Sequence, residues 1–240
     1  MAYTLKKKLA NSKNYGSKRS IDTIKYIVIH YTANDGDTDE GNGKYFANNV
    51  VKASAHYFVD DDSVTQSVPD NYVAWSVGGS KYNNDGGRLY GKATNTNTLN
   101  IEICDDVKDG KVYPSAKTIE NVVAFTKTMM KKYGIKEANV IRHYDVNGKA
   151  CPKYWVDDSK WKKEFHDKLT DKPEFAPYTV KITTKSLNVR KGPGVLNKVV
   201  TSVKMNEVYT IVDAKNGWGL LKSYQKNKDG WIKLSYTKRL

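Results

Sequence analysis

The 240-residue sequence predicts an α/β domain, built on a central mixed β-sheet flanked by helices, followed by a small all-β barrel. Two patterns predict this. As far as residue 170, short apolar strands alternate with segments of helical periodicity, as in a sheet covered by helices. After residue 178 only short strands separated by turn residues remain, as in a small barrel. The hydrophobic fraction of 39% supports a buried core.

The first part of the chain supplies the strands of the mixed sheet. Residues 1–20 are basic and polar, which predicts a loose arm. Short runs rich in β-branched and aromatic residues then predict four strands: 24–32, 55–59, 63–68 and 98–104.

Three helices are predicted among these strands. A short one covers residues 44–52. The long helix runs from Ser115 to Tyr133, where apolar residues recur at a spacing of 3.6. Ser115 is a suitable N-cap and Gly134 a suitable stop. The last helix covers residues 158–169.

The second part of the chain predicts a separate barrel. Residues 170–178 contain two prolines and no periodicity, which predicts a linker at 173–178 between a domain at 1–172 and one at 179–240. Six short strands are expected in the latter: 178–183, 187–189, 198–203, 207–212, 217–221 and 230–233.

Charge is unevenly distributed. Residues 173–240 contain 13 Lys and Arg against 4 Asp and Glu, a net charge of +9, whereas residues 1–172 contain 27 against 22, a net charge of +5. This predicts a polyanionic target for the C-terminal domain. The basic charge is not accompanied by a nucleic-acid-binding motif, so no nucleic-acid partner is expected. No apolar run is long enough for a membrane-spanning helix, so no membrane insertion is expected.

Three distant segments contain the residue types of one zinc site. His30 ends an apolar strand, His143 follows Val140-Ile141-Arg142, and Cys151 precedes a proline. Two imidazoles and a thiolate fill three corners of a tetrahedron and leave the fourth for water, as in catalytic zinc sites. A cysteine-peptidase pair of Cys151 and His143 is the alternative. The other cysteine, Cys104, is expected to be a buried core thiol.

These segments resemble the type 2 N-acetylmuramoyl-L-alanine amidases, a family that includes phage endolysins, bacterial autolysins and peptidoglycan recognition proteins. The third ligand of that family lies in a Lys-x-Cys-Pro motif, matched by residues 149–152. The resemblance covers residues 20–170. It implies a zinc ion (Zn²⁺) held by His30, His143 and Cys151. The segments "SLNVRKGPG", "NGWGLLK" and "DGWIKL" resemble bacterial SH3-like wall-binding domains.

The resemblance also implies catalytic roles. The family's catalytic Glu corresponds to Glu102 in "NIEI", as the proton carrier, and its catalytic Lys corresponds to Lys149, which would stabilise the oxyanion. Some members use a Tyr where this chain has Ala55, so catalysis here is expected to depend on Glu102. The neighbouring His56 is not expected to be a ligand. Outside the motifs, Tyr72 and Trp75 are expected to line the groove for the stem peptide.

The implied function is cleavage of the amide bond between N-acetylmuramic acid and L-alanine in Gram-positive cell walls. The expected partners are peptidoglycan and, through the basic C-terminal domain, teichoic acids. No apolar secretory signal is visible, so we expect a phage or prophage endolysin that stays in the host cytoplasm until release and then acts on the wall. The alternatives are a bacterial autolysin of the same chemistry, or a non-catalytic peptidoglycan receptor, a branch in which the zinc Cys is typically lost.

Overall fold

A computed structural model of the chain describes residues 3–108, 111–170, 175–223 and 228–240, with side chains described except at residues 105–108 and 111. The chain divides into two compact units, Met1–Thr170 and Asp171–Leu240. Each unit has its own cluster of buried apolar residues. Within the described ranges, no helix is both long and apolar enough to cross a bilayer.

The first unit contains a mixed sheet, as predicted. The strands in its described residues are β1 (Thr4–Lys7), β2 (Tyr15–Lys18), β3 (Tyr26–Asp35), β4 (Tyr57–Val59), β5 (Ser63–Gln66), β6 (Tyr72–Ala74), β7 (Thr98–Lys108), β8 (Lys111–Tyr113) and β9 (Val140–Arg142). The strand order of the sheet is β1-β5-β4-β7-β3-β9, with β8 added to β7, while β2 and β6 form a separate ribbon. The β1–β5, β4–β7, β7–β3 and β3–β9 pairs are parallel, and the β4–β5 pair is antiparallel.

Four α-helices accompany this sheet: α1 (Asp39–Asn48), α2 (Ala116–Tyr133), α3 (His143–Asn147) and α4 (Asp158–Glu164). The caps predicted for α2 are confirmed. The Ser115 hydroxyl accepts a hydrogen bond from the amide of Thr118, and Gly134 has a left-handed conformation with φ of 64°. The apolar face of α2, including Val122 and Phe125, is buried in the core.

The prediction of a loose N-terminal arm is wrong. Strand β1 pairs in parallel with β5, and Asn14 is fully buried. The Asn14 side chain donates hydrogen bonds to the carbonyls of Phe46 and Asn49, 2.9 and 2.7 Å away. This segment is held by backbone pairing and buried polar contacts, which leave no apolar periodicity in the sequence.

Two predicted helices have different bounds. Helix α1 begins at Asp39 rather than residue 44, because the Thr38 side chain caps it by accepting from the amide of Gly41. Helix α4 ends at Glu164 rather than residue 169 and is followed by the 3-10 turn His166–Lys168.

Two adjacent strands of the sheet, β3 and β7, are buried on both faces. Ile27, Val28 and Ile29 of β3 have no exposed surface, nor do Leu99 and Ile101 of β7. Burying each such side chain stabilises the fold by about 1.5–3 kcal/mol. The core therefore fixes these two strands in place, and the polar residues that follow their apolar runs are fixed with them.

In its described residues the second unit contains the strands β10 (Tyr178–Ile182), β11 (Ser186–Arg190), β12 (Val199–Lys204), β13 (Val208–Lys215), β14 (Trp218–Lys222), β15 (Gly230–Lys233) and β16 (Thr237–Arg239). They form an all-antiparallel, barrel-like sheet in the order β12-β11-β15-β14-β13-β10-β16. All six predicted strands are present. Strand β16 has the polar sequence Thr-Lys-Arg and was not predicted; it pairs with β10. Part of the predicted linker, residues 173 and 174, lies outside the described residues.

Candidate metal centre

Strand register brings His30 and Glu102 together. His30 of β3 is the direct partner of Glu102 in the parallel strand β7. The Nδ1 atom of His30 lies 3.8 Å from Oε1 of Glu102. The His30 side chain is 3% exposed and that of Glu102 is 20% exposed. Glu102 is therefore the more solvent-exposed side chain of this pair.

His143 and Cys151 reach the same place from the neighbouring strand β9. His143 is the first residue of α3, directly after β9. Gly148, with φ of 90°, ends α3, and the amide of Tyr144 donates to the carbonyl of Cys151 at 2.9 Å. Because this turn folds back on the start of α3, the thiol of Cys151 lies beside the imidazole of His143.

The three predicted ligands meet in one buried cluster. One ligand atom from each of His30, His143 and Cys151 lies within 4.8 Å of the other two. The Sγ atom of Cys151 is 3.8 Å from Nδ1 of His30, and the two imidazole rings are 4.8 Å apart between centroids. In the described part of the chain, this is the one group of three or more His, Cys, Asp and Glu residues with such spacing.

The state of the two imidazoles fits a bound cation. Neither ring nitrogen of His143 has a hydrogen-bond partner among the described residues, although both are buried. A buried polar atom without a partner costs about 1–3 kcal/mol, which a metal bond would offset.

Burial, and then the charge of Lys149, lowers the pKa of His143 to about 4. Burial, and then His143, holds the pKa of His30 well below its usual value. Both rings are thus neutral at pH 7, the form that binds metals. Two imidazoles and a thiol are a donor set that zinc prefers.

Asn100 orients the first ligand. Its side-chain oxygen lies 3.1 Å from Nε2 of His30, and its amide nitrogen donates to the hydroxyl of Thr98 at 3.1 Å. Because a carbonyl oxygen only accepts, Nε2 carries the hydrogen and Nδ1 keeps its lone pair toward Cys151. No role was predicted for Asn100. The available signal was its position two residues before Glu102, on the same face of β7.

A buried arginine, Arg142, anchors the segment between the second and third ligands. Its side chain is 1% exposed, and it bonds both carboxylate oxygens of Asp145 at 3.0 and 2.8 Å. It also donates to the carbonyls of Trp155 and Val156 at 2.7 and 3.0 Å. The guanidinium therefore joins the start of α3 to the chain beyond Cys151. This contribution of Arg142 was not predicted.

His56 lies outside the metal cluster, in agreement with the expectation that it is not a ligand. It is fully buried, and its Nδ1 accepts from the amide of Asn100 at 3.0 Å. Its Nε2 lies 3.1 Å from the carbonyl of Tyr72 and 2.9 Å from the guanidinium of Arg19. Burial, and then the Arg19 charge, lowers the pKa of His56 to about 3. This neutral ring fixes the backbone beside Asn100.

Lys149 and Trp75 line cavities at the cluster. A cavity of about 510 Å³ is bordered by Trp75, His143 and Lys149. A second, of about 730 Å³, is bordered by Glu102, Tyr31 and Lys149. Lys149 is exposed and belongs to both cavities. Its ammonium is therefore available to a substrate that occupies either one.

Tyr72 is not brought to these cavities. Its ring packs against Tyr15, 5.4 Å away between centroids, and under the ammonium of Lys18 at 5.9 Å. It belongs to a small cluster with Ala10 and Ala74. Tyr72 and Trp75 were grouped by closeness in sequence, whereas β6 ends between them, at Ala74.

The wall of the smaller cavity is a loop bonded to α3. The amides of Tyr82, Gly87 and Leu89 donate to the carbonyls of Asn147, Tyr144 and Asp145 at 2.8–2.9 Å. A side chain at Gly86 would lie 2.7 Å from the Cα of Gly148, so the two backbones approach too closely for any other residue.

Cys104 is a free, buried thiol, as expected. Burial, and then the charge of Asp37, raises its pKa. The Asn42 side chain lies 3.5 Å from its sulfur. The thiol stays protonated at neutral pH and has no place in the cluster of His30, His143 and Cys151.

A buried cluster of two histidines and a cysteine, with a partly exposed glutamate on the parallel strand paired with that of His30, has the residue types typical of metal-assisted hydrolases. Residues 20–154 match the family model described as N-acetylmuramoyl-L-alanine amidase, and residues 185–238 match the bacterial SH3 domain. The chain belongs to the N-acetylmuramoyl-L-alanine amidase family.

Individual relatives agree. The chain is 34% identical over 155 residues to the N-acetylmuramoyl-L-alanine amidase CwlL of Bacillus licheniformis, a match covering 61% of this chain and 41% of the relative. It is 32% identical over 162 residues to the amidase CwlA of Bacillus subtilis, with 67% and 55% covered. The chain thus matches about half, or less, of the length of these curated relatives.

Solved structures give the same fold. A mutant endolysin from Bacillus subtilis superposes with a TM-score of 0.56 at 28% identity, over 70% of this chain and 99% of that one. The structure of PlyL gives a TM-score of 0.56 at 27% identity, over 70% and 97%. The mixed sheet flanked by helices is therefore the fold of endolysin catalytic domains.

Proposed function

We propose that this protein hydrolyses the amide bond between N-acetylmuramic acid and L-alanine in the peptidoglycan of Gram-positive walls, as a phage or prophage endolysin. The observation that carries the proposal is the cluster of His30, His143 and Cys151 with Glu102 beside it, in a chain of the amidase family. A bacterial autolysin would use the same residues. A non-catalytic receptor would have no use for Cys151 within this cluster.

His30, His143 and Cys151 would hold the zinc ion. Bound zinc supplies Lewis-acid polarisation of the substrate carbonyl and a water of lowered pKa. A site with these three protein ligands would remain accessible to water and substrate. Asn100 keeps the Nδ1 lone pair of His30 on the side where the other two ligand atoms lie.

Glu102 would transfer the proton, and Lys149 would stabilise the negative charge that develops on the substrate. Glu102 lies at the rim of the cluster with its Oε1 atom 3.8 Å from His30, and it accepts the proton of the attacking water. The same carboxyl then gives this proton to the leaving nitrogen of L-alanine. Lys149 borders both cavities, and its ammonium stabilises the negative charge that develops on the carbonyl oxygen. Trp75 packs against the bound substrate on the His143 side.

The two domains would have different roles, catalysis and wall binding. We assign catalysis to residues 1–172 and wall binding to residues 179–240, with residues 173–178 as the connection. The match to the bacterial SH3 domain and the net charge of +9 after residue 172 support the second assignment. The wall polymers with complementary charge are teichoic acids, so we propose that they add to peptidoglycan as ligands of this domain.

Mass spectrometry of digested peptidoglycan tests the proposed reaction. An amidase releases peptides that begin with a free L-alanine amino group, and glycan strands whose lactyl carboxyl groups are free. A glycosidase would instead create new reducing sugar ends, and an endopeptidase would cut within the peptide. Products of either of these kinds, absent from a Glu102→Ala control digest, would refute the assignment.

A further inference from the structure

A third cavity, of about 740 Å³, lies within the first unit beyond the proposed catalytic residues. Six of the residues that line it carry aromatic or charged side chains: Tyr31, Tyr113, Lys153, Tyr154, Lys160 and Glu164. None of these has a role in the reaction proposed above. The rim is built from β3, β8, the segment after Cys151 and α4.

This cavity continues the catalytic groove. Tyr31 borders both it and the cavity that contains Glu102 and Lys149. It also directly follows His30 in β3. A polymeric substrate that occupies the cavity at Glu102 can therefore extend past the Tyr31 ring into the third cavity without leaving the protein surface.

The aromatic wall of the cavity is fixed in place. The Tyr154 ring meets those of Tyr31 and Tyr113 at centroid distances of 5.5 and 4.9 Å. The Glu164 carboxylate accepts from the hydroxyl of Tyr113 at 2.7 Å and from the indole of Trp155 at 2.8 Å. Few side-chain rotations are left to be lost when a ligand binds to such a wall.

The charge of the cavity selects an anionic ligand. Lys153 and Lys160 are exposed at its rim. Glu164, the one carboxylate among the described lining residues, is already bonded to Tyr113 and Trp155. Among the described lining residues, two exposed ammonium groups outnumber one hydrogen-bonded carboxylate, and this balance favours a carboxylate-bearing ligand over a neutral one.

We propose that this cavity is a substrate subsite for the carboxylate-bearing part of the stem peptide. The inference rests on the proposed amidase function. In that substrate, N-acetylated sugars are uncharged once the lactyl carboxyl is in the amide bond. The peptide, by contrast, ends in a carboxylate. Charge complementarity therefore places the peptide rather than the glycan strand against Lys153 and Lys160.

Kinetics on two soluble substrates test this subsite. One is a muramoyl tetrapeptide with its peptide carboxyl groups free, and the other is the same compound with these groups amidated. For the zinc-loaded full chain, KM should be lower for the free acid. In a Lys153→Met/Lys160→Met variant, KM for the free acid should rise about three- to tenfold at unchanged kcat, and KM for the amide should not change.

Lys163→Met is the matched control, because Lys163 is exposed on the same helix, α4, and lines neither this cavity nor the two at the metal cluster. It should leave both KM values unchanged. Equal KM values of the unmodified protein for the two substrates, or an equal rise for both in the double variant, would overturn the subsite. Cleavage of neither substrate by the unmodified protein would instead refute the amidase function itself.

Discussion

The two units of this chain differ in where their polar chemistry lies. All four histidines and both cysteines occur before residue 173, and three of these six side chains meet in one buried cluster. The second unit has neither residue type, but its 70 residues carry +9 of the +14 net charge of the chain. One unit concentrates short-range, directional contacts inside a core, and the other spreads charge over its surface.

This difference predicts how each unit responds to its surroundings. Contacts inside a core are little affected by salt, whereas interactions between exposed charges separated by more than about 8 Å are largely screened at 0.15 M. Substitutions in the first unit should therefore change the reaction, and salt should change what we assign to the second unit, the attachment to walls.

The largest effect is expected from removing the thiolate ligand. Cys151→Ala should lose both the bound zinc and the activity, because two imidazoles alone are a weak zinc site. Elemental analysis should find about one zinc ion in the unmodified chain and a small fraction of that in the variant. The control is Cys104→Ala, which should keep zinc and turnover. Full activity of a metal-free Cys151→Ala protein would end this interpretation.

The next largest effect separates metal binding from proton transfer. Glu102→Gln should lower kcat by about 10²–10⁴-fold while zinc content stays at the unmodified level, since an amide cannot carry the proton. Steady-state kinetics on a soluble muropeptide and elemental analysis of the same sample give both values. Loss of zinc in this variant would show that Glu102 is a ligand instead.

A smaller effect tests how the first ligand is oriented. Asn100→Leu removes the oxygen that accepts from His30 and should weaken zinc binding by about 10–100-fold. Asn100→Asp keeps an acceptor at that position and should retain most of the affinity. Competition with a chelator measures both. Equal affinity of the Leu variant and the unmodified chain would show that packing alone fixes the His30 ring.

The smallest effect on the chemistry is expected from removing the second unit. Residues 1–172 alone should cleave soluble muropeptide at the rate of the full chain, but bind whole walls less well and lyse cells more slowly. Cosedimentation of the full chain with walls should weaken as salt rises from 0.15 M toward 1 M, where the screening length falls to about 3 Å. Equal wall binding by the truncated and full chains would refute the targeting role.

Apolar periodicity in the sequence predicted most of the fold. The apolar runs of β3 and β7 and the helical repeat of α2 were sufficient to predict a mixed sheet covered by helices. The N-terminal segment was missed because a buried Asn14 and a backbone pairing with β5 hold it in place. Neither contact has a local sequence pattern, since each depends on chain far from it in sequence.

The candidate site was predictable where short motifs marked it. His30, His143 and Cys151 each stand in a distinctive local context, and the structure brings them together. Asn100 and Arg142 stand beside these motif residues, but their contributions depend on partners that only the folded chain defines. Tyr72 was expected in the groove because it is close to Trp75 in sequence, and the end of β6 between them separates their surroundings.

The pairing of β3 with β7 also restricts where insertions and deletions can occur in this protein. His30 and Glu102 face each other through a ladder in which every second residue points the same way. A single-residue insertion between Thr98 and Glu102 would turn the Glu102 carboxylate to the opposite face of the sheet, away from His30. The long chain between His30 and Glu102 would not compensate for this change. Insertions and deletions should therefore be tolerated in the loops between these strands, while the paired residues of β3 and β7 should tolerate substitutions only.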